Sequence, residues 1–229
     1  MKNTTMVGFG ELFCPHYCIS CGKVGGIICD CCKKNNIVKN REKKCLNCKS
    51  TVLKGICSDE GCRLRGVLQV YVGGRTGVLK DLINLYKYKA VRAAGGVLAN
   101  LFADACADKI VKGFTIVALP TTGQHIRRRG FGHTEKLAKL IAKRLDMVSR
   151  EKVLVRNNKS VQVGASEEMR KMQAELAYAL GAKFCAHEKY LLIDDVWTTG
   201  SSMLAAQELL VRNGARNVAV GVLARSNHE

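Results

Sequence analysis

The sequence predicts an α/β fold, in which helices flank a parallel sheet, with a small cysteine-rich domain at the N-terminus. Two observations carry this prediction. All but two of the 12 cysteines lie between Cys14 and Cys62, mostly in closely spaced pairs. After Arg65, short apolar runs alternate with segments of helical period, which is the pattern of strands joined by crossover helices. We therefore expect a cysteine-rich domain over 1–65 and an α/β domain over 66–229, which a chain of 229 residues can accommodate.

The expected elements of the α/β domain follow from the periodicity of its apolar residues. Strands are predicted over 67–72, 114–119, 152–155, 191–193 and 217–223. Gly73 and Gly74 are expected to form the turn after the first strand. Apolar residues between 79 and 105 predict two helices with a break near Gly95 and Gly96. Further helices are expected over 136–145 and from about 201 to 212, where Gly214 supplies the stop.

The stretch over 189–202 joins an apolar strand, two adjacent acids and a turn of small residues. Asp194 and Asp195 are expected at the carboxyl end of that strand, where open α/β sheets bind ligands. A carboxylate accepts hydrogen bonds from the hydroxyls of a cis-diol, and the start of a helix near Ser201 suits a phosphate. The alternative is that the two acids only cap a helix. The small polar residues that follow them favour a sugar-phosphate site.

The cysteine pairs predict structural zinc sites. Four half-sites occur in order: Cys18 with Cys21, Cys29 with Cys32, Cys45 with Cys48, and Cys57 with Cys62. In sequence order they form two tetrads, although spacing alone leaves interleaved pairing open. Cys31 competes with Cys32, and Cys14 is a possible substitute. Cys106 and Cys185 stand alone in apolar surroundings and are expected to be buried core residues.

The net charge of +18 predicts an anionic partner, whether a small polyphosphate or a nucleic acid. Three consecutive arginines, Arg127, Arg128 and Arg129, are expected between a strand and a helix and suit a polyanion, the alternative being an exposed loop without a ligand. The basic run Lys33, Lys34, Lys39, Arg41, Lys43 and Lys44 is either a solvated loop or a phosphate-backbone surface. His125 and His133 are candidate proton shuttles, but the more common expectation for loop histidines is that they are solvated. With no apolar segment long enough for a membrane span and no secretory signal, we expect a soluble, cytoplasmic protein.

The 189–202 stretch resembles the phosphoribosyl pyrophosphate (PRPP) signature of type I phosphoribosyltransferases. In that family the acid pair binds the ribose hydroxyls and the following loop holds the 5′-phosphate. Together with the opening Leu12-Phe13-Cys14-Pro15-His16, the run Leu85-Tyr86-Lys87-Tyr88-Lys89 and Arg129-Gly130-Phe131, the motif resembles the ComF family. Members of that family join a cysteine-rich zinc finger to a type I phosphoribosyltransferase-like domain. The chain departs from the family at Gly132-His133, where an Asn-Gln pair is usual, and at Met169 and Gln173 in the stretch that resembles the family's mobile loop.

The resemblance implies a function in competence and DNA uptake, with PRPP or a nucleotide-like compound as ligand and Mg²⁺ as its companion ion. Asp194 and Asp195 are then the catalytic acids. The substrate-binding residues are Thr198, Thr199, Gly200, Ser201, Ser202, Arg127, Arg128 and Arg129. Single-stranded DNA and competence helicase-type proteins are the implied partners. The alternative hypotheses are a non-catalytic module that binds single-stranded DNA and a sensor of PRPP or nucleotides.

Overall fold

The computed structural model describes residues 17–37, 44–107, 109, 111–121, 132–157 and 177–226. In these parts the strands are β1 (Gln69–Gly74), β2 (Thr115–Ala118), β3 (Leu154–Arg156), β4 (Tyr178–Leu180), β5 (Lys189–Trp197) and β6 (Asn217–Arg225). The helices are α1 (Asp30–Asn35), α2 (Gly77–Lys89), α3 (Arg92–Ala105), α4 (His133–Leu145) and α5 (Ser201–Arg212). None of the helices in the described parts is long and apolar enough to cross a membrane.

A four-stranded sheet in the order β1-β6-β5-β2 forms the centre of the α/β part, and every pairing in it is parallel. This arrangement confirms the predicted fold class. The strand expected over 152–155 behaves differently, because β3 pairs antiparallel with β4 in a separate two-stranded sheet. The segment just before it contacts the main sheet by a bridge between Ser149 and Ile116 on β2.

Both faces of the main sheet are covered, as expected for a parallel sheet. Alternate residues of β5 show this clearly: Leu191 and Ile193 pack under α2, α3 and α4, whereas Tyr190 and Leu192 pack under α5. All four side chains are fully buried. The near-continuous apolar run of β5 therefore reflects burial on both sides, which is why the sequence signalled this strand strongly.

The break between the first two long helices lies at Ala90, so the prediction of a break at Gly95 and Gly96 was wrong. Ala90 has a left-handed backbone with φ of 53°, and its N–H donates to the carbonyl of Leu85. Gly95 lies inside α3, where an added Cβ would come within 2.6 Å of the Tyr86 ring. This glycine therefore permits close helix packing rather than ending a helix. Gly73 and Gly74 likewise belong to β1 rather than to a turn.

The cysteine-rich segment divides into two parts, of which the second is joined closely to the sheet. The Gln69 side chain of β1 is buried and accepts a hydrogen bond from the backbone N–H of Leu46 at 2.8 Å. The Tyr71 hydroxyl donates to the carbonyl of Lys44 at 2.8 Å. The second part of the segment shares an apolar cluster with α5 and with the face of β5 that packs under α5. Its members there include Leu46, Leu64, Cys45, Cys57 and Cys62. The domain boundary at residue 65 remains a prediction. Residues on its two sides nevertheless pack in one apolar cluster and are joined by hydrogen bonds.

Candidate functional site

The acid pair lies where the sheet opens. The pairing of β2 with β5 ends at Ile193, whose carbonyl accepts from the N–H of Leu119, while β5 remains paired with β6 as far as Trp197. Asp194 and Asp195 are thus inside β5 rather than after it, and they extend beyond the end of β2. This places both acids in a cleft on the carboxyl side of the sheet, as the topology of open α/β sheets predicts.

The two acids have different surroundings. The side chain of Asp195 is only 7% exposed, and its Oδ2 lies 2.5 Å from Lys87 Nζ and 3.1 Å from His133 Nε2. Burial acts to raise its pKa, but the hydrogen bond from His133 and the charge of Lys87 outweigh burial and lower the pKa to about 2. Asp195 is therefore ionised at neutral pH.

Asp194 is partly accessible from the cleft, and its Oδ1 accepts a hydrogen bond from the backbone N–H of Asp195 at 2.8 Å. Burial, together with the neighbouring charge of Asp195, raises the pKa of Asp194 to about 7. The pair therefore takes up its proton at Asp194, which is also the acid that a ligand in the cleft can reach more easily.

The loop after β5 leads into the N-terminus of α5. Gly200 precedes the helix with a left-handed φ of 79°, and no side chain caps the helix at this position. An added Cβ at Gly200 would lie 2.1 Å from Cζ2 of the buried Trp197. The Thr199 and Ser201 hydroxyl oxygens are 2.9 Å apart. The loop therefore presents hydroxyls and helix N–H groups together, which is the chemistry of an anion site.

A cavity of about 460 Å³ contains the acid pair and part of this loop. Among the described residues, its lining includes Asp194, Asp195, Thr198, Ser202, Arg75, Lys87, His133, Arg156, Tyr88 and Tyr178. Thr199, Gly200 and Ser201 line a smaller adjoining cavity of about 80 Å³, which shares Asp194, Thr198 and Ser202 with the larger one. The acids and the small-residue loop predicted from the sequence are therefore brought together.

Sequence reasoning missed three basic residues of the cavity, Arg75, Lys87 and Arg156, and named His133 only as a candidate proton shuttle. These four residues come from separate segments, namely the turn after β1, α2, β3 and α4, so no local motif joins them to the acids. Lys87 lies in the Leu85–Lys89 run, but that run gave no indication of contact with Asp195. The expectation that His133 is solvated was wrong, because it is 3% exposed and Nε2 contacts Asp195. Arg127, Arg128, Arg129 and His125 lie outside the described residues.

The eight predicted cysteine ligands form two tetrads in sequence order, Cys18, Cys21, Cys29 and Cys32, then Cys45, Cys48, Cys57 and Cys62. The Sγ atoms of Cys45 and Cys62, and of Cys48 and Cys57, are 3.6 Å apart. A tetrahedral zinc with Zn–S bonds of about 2.3 Å needs sulfur atoms roughly 3.8 Å apart. Both clusters can therefore hold zinc.

The remaining cysteines in the described residues stand outside these tetrads. Cys31 is exposed and accepts from the Asn35 side chain, so Cys32 is the member of the tetrad. Cys106 is buried as expected, whereas Cys185 is exposed and the expectation of burial was wrong for it. Cys14 lies outside the described residues.

Comparison with known proteins gives two matches that bear on the fold and family. Residues 126–229 match the model of the phosphoribosyl transferase domain family. Competence protein ComFC of Streptococcus pneumoniae is 27% identical over 192 residues, which cover 80% of this chain and 81% of that protein.

Solved structures show a looser likeness. Adenine phosphoribosyl transferase from Trypanosoma brucei is 14% identical, with a TM-score of 0.43 and coverage of 68% of this chain and 83% of that chain. Orotate phosphoribosyltransferase from Aeropyrum pernix is 17% identical, with a TM-score of 0.39 and coverage of 60% and 62%. An allosteric regulatory enzyme of purine biosynthesis is 13% identical, with a TM-score of 0.43. The match covers 61% of this chain but only 30% of that enzyme's chain.

The domain match and the parallel sheet define the C-terminal part as a type I phosphoribosyltransferase-like fold, as predicted. The predicted resemblance to the ComF family is confirmed by the match to the competence protein, which covers most of both chains.

Proposed function

We propose that the chain binds PRPP with Mg²⁺ in the cavity of Asp194 and Asp195 and transfers or recognises its phosphoribosyl group. The observation that carries this proposal is a cleft of two adjoining cavities, joined at Asp194, Thr198 and Ser202, in which two acids, the N-terminus of α5 and three basic side chains meet. Acids suit the hydroxyls of a sugar, and the other groups suit its phosphates. This cleft therefore has a partner for each chemical part of the ligand.

The ribose hydroxyls fit the acid pair, with Asp194 as the main contact. Lys87 and His133 already occupy Oδ2 of Asp195, so this carboxylate is held in place. Asp194 is the more accessible of the two and lines both cavities. Mg²⁺, when bound with PRPP, would add positive charge at the pyrophosphate, and the Asp194 carboxylate is an oxygen ligand of the kind this ion takes.

The 5′-phosphate fits the loop of Thr198 to Ser202. The first turn of α5 has N–H groups without partners inside the helix, and Gly200 offers no side-chain cap, although the Ser201 N–H donates to Thr199 Oγ1 at 3.4 Å. These groups, the Thr199 hydroxyl and the Ser202 hydroxyl can donate to phosphate oxygens without needing a charged residue. The positive end of the helix dipole adds to the attraction.

The pyrophosphate fits the basic side of the cavity. Arg75, Lys87 and Arg156 line it, and the buried Nε of Arg75 has no hydrogen-bond partner in the described part of the chain. An unpaired buried donor is costly, so an anionic ligand at Arg75 would remove that cost. In transfer, these cations would stabilise the departing pyrophosphate while the acids hold the ribose. Arg127, Arg128 and Arg129 remain proposed contributors to the same contact.

The test is calorimetric titration of PRPP with Mg²⁺ into the parent protein and into Asp194→Asn/Asp195→Asn. Removing charged hydrogen-bonding partners typically costs roughly 1.5–3 kcal/mol each, so we expect affinity to fall at least about tenfold. Asp81→Asn, at an exposed acid on α2, is the control and should bind like the parent. If the double variant binds PRPP as tightly as the parent, the site is misplaced.

The affinity for PRPP should also depend on pH through Asp194. Burial and the charge of Asp195 raise the pKa of this acid to about 7, and the ribose hydroxyls need the ionised form as acceptor. Binding therefore releases a proton, and affinity should rise as pH increases, by about tenfold between pH 6 and pH 8. Because the phosphates of PRPP also titrate, Asp194→Asn is the reference: it should bind more weakly but with a smaller pH dependence. If the affinity for PRPP depends on pH equally in the parent and in Asp194→Asn, Asp194 is not the acid that binding deprotonates.

The biological setting that we propose is competence and DNA uptake, with single-stranded DNA or a competence helicase-type protein as the macromolecular partner. This rests on the name of the Streptococcus pneumoniae relative and on the net charge of +18. A strongly basic chain attracts nucleic acid, and such binding weakens as salt increases.

A further inference from the structure

The two cysteine tetrads differ in how accessible their cysteines are to solvent. In the first tetrad Cys21 is exposed and Cys29 is partly exposed. In the second tetrad three of the four cysteines are buried, and the remaining one, Cys48, is partly exposed. Because a reagent in water must reach a sulfur atom in order to react with it, the first tetrad is the more accessible of the two.

The second tetrad is also covered by the α/β part of the chain. Cys45 Sγ accepts a hydrogen bond from the buried side-chain amide of Gln69 on β1 at 3.4 Å. Cys62 Sγ accepts a hydrogen bond from the backbone N–H of Leu64, which is fully buried, at 3.4 Å. The sulfur atoms of these cysteines therefore stay enclosed for as long as the sheet and its helices remain packed.

In the first tetrad the two accessible cysteines are also neighbours. Cys29 is the N-cap residue of α1, and its Sγ lies 3.7 Å from Cys21 Sγ. Sulfur atoms that bind zinc are thiolates, which is the form that reacts with oxidants. The sulfur atoms of a disulfide are about 2 Å apart, so this pair needs to approach by less than about 2 Å. The two cysteines are therefore placed as a reactive thiolate and its resolving partner.

We propose that Cys21 and Cys29 form a reversible disulfide in the presence of hydrogen peroxide, and that the first tetrad thereby releases its zinc while the second retains its own. The Cys21 thiolate attacks one peroxide oxygen, the O–O bond breaks, and hydroxide leaves a sulfenic acid on Cys21. The Cys29 thiolate then attacks the Cys21 sulfur, forms the S–S bond and displaces a second hydroxide. Two electrons from the two sulfur atoms thus reduce one peroxide to two hydroxides.

Oxidation of this pair leaves Cys18 and Cys32 as the remaining ligands of the first tetrad. Structural zinc is held by four ligands, so two are not expected to retain it. The second tetrad and the core around it keep their contacts, because none of the oxidised sulfur atoms belongs to that cluster. The inference rests on zinc being bound at both tetrads and is independent of the proposed PRPP site.

The test treats the zinc-loaded protein with hydrogen peroxide and follows zinc release with the chelating dye 4-(2-pyridylazo)resorcinol. The fluorescence of Trp197, which packs in the cluster of the second tetrad, reports on the core in the same sample. Lys23 lies between Cys21 and Cys29, so trypsin separates the two cysteines unless a disulfide joins their peptides. Fragmentation of the joined peptides in the mass spectrometer identifies the linked residues. Cys31→Ser is the matched control, because Cys31 is exposed and stands outside the tetrad.

The expected result is the loss of one of the two zinc ions, with the fluorescence of Trp197 unchanged. The recovered peptides should be joined between Cys21 and Cys29. Dithiothreitol with added zinc should reverse the loss, since a dithiol reduces an accessible disulfide by exchange. Cys31→Ser should release zinc as the parent does.

Three results would overturn the proposal. Release of both zinc ions together, or first from the second tetrad, would show that exposure does not determine the order of oxidation. A disulfide to Cys31 in the parent, with no zinc release from Cys31→Ser, would assign the reaction to that thiol instead. A parent protein that holds only one zinc ion would remove the premise, without bearing on the PRPP site.

Discussion

Replacing Gly200 with alanine is expected to remove most PRPP binding and to destabilise the protein. The left-handed φ of 79° disfavours any residue with a side chain, and the added Cβ would lie 2.1 Å from Cζ2 of Trp197. Trp197 is buried against the core, so neither group can move without disturbing its neighbours. Left-handed backbone and overpacking together cost about 2–5 kcal/mol. The loop that would hold the 5′-phosphate is therefore expected to change shape.

The measurements are the free energy of unfolding and the affinity for ribose 5-phosphate. Gly96→Ala is the matched control, because this glycine lies in α3, has no unusual φ and has nothing within 4 Å of an added Cβ. Alanine there should be neutral or stabilise the helix by up to about 1 kcal/mol. A Gly200→Ala protein with the parent's affinity and stability would show that the loop tolerates a side chain, and the phosphate assignment would lose its main steric support.

The candidate site was predictable from the sequence only where its residues are consecutive. Asp194, Asp195 and the loop to Ser202 follow one another, so strand, acids and turn could be read together. Lys87 and His133 are separated from Asp195 by more than 60 residues, and only the fold brings them to its carboxylate. The sequence carries no periodic signal for such a contact. For this reason the predicted site contained both acids of the cavity but lacked the groups that set their pKa values.

Parts of the fold were mispredicted for a related reason, namely that local rules do not include tertiary packing. Gly95 is a helix breaker by propensity, but here its missing side chain makes room for the Tyr86 ring. The chain turns instead at Ala90, a residue that gives no such signal. In the same way, a short apolar run indicates a strand at β3 but does not indicate its partner, which is β4 rather than the parallel sheet.

The cysteine tetrads are a mixed case. The spacing predicted four pairs and left their combination open, and the fold brings them together in sequence order. What the spacing could not indicate is that the second tetrad packs into the α/β core. Gln69 of β1 donates to Cys45 Sγ at 3.4 Å, and this contact joins residues from the two predicted domains. The two tetrads should therefore differ in their importance for the rest of the protein.

We propose that both tetrads hold zinc. Its removal from the second tetrad is then expected to unfold much of the α/β part, whereas its removal from the first is not. Cys45, Cys57 and Cys62 are 0%, 1% and 6% exposed, and they share an apolar cluster with Leu192 and Val220 of the sheet. In the first tetrad Cys18 and Cys32 are also buried, but Cys21 is exposed and none of the four cysteines belongs to an apolar cluster of the sheet. Structural zinc contributes about 10–16 kcal/mol to the folding of zinc-finger peptides, which is comparable with the whole stability of a typical domain. Loss of the second zinc would also leave the buried cysteine sulfur atoms without their metal, and the hydrogen bond from Gln69 to Cys45 Sγ would no longer be held in place.

The comparison is between Cys57→Ser and Cys21→Ser, each measured for zinc content and for thermal unfolding. The chain contains a single tryptophan, Trp197, and it packs in the cluster of the second tetrad, so its fluorescence reports on this core. We expect Cys57→Ser to lower the free energy of unfolding by at least about 4 kcal/mol, or roughly 10 °C in Tm. Cys21→Ser should lose one zinc but leave the tryptophan transition near that of the parent. The reverse order of effects would mean that the sheet is stable without the second tetrad, and that the contacts of Gln69 and Leu46 do not couple the two parts of the chain.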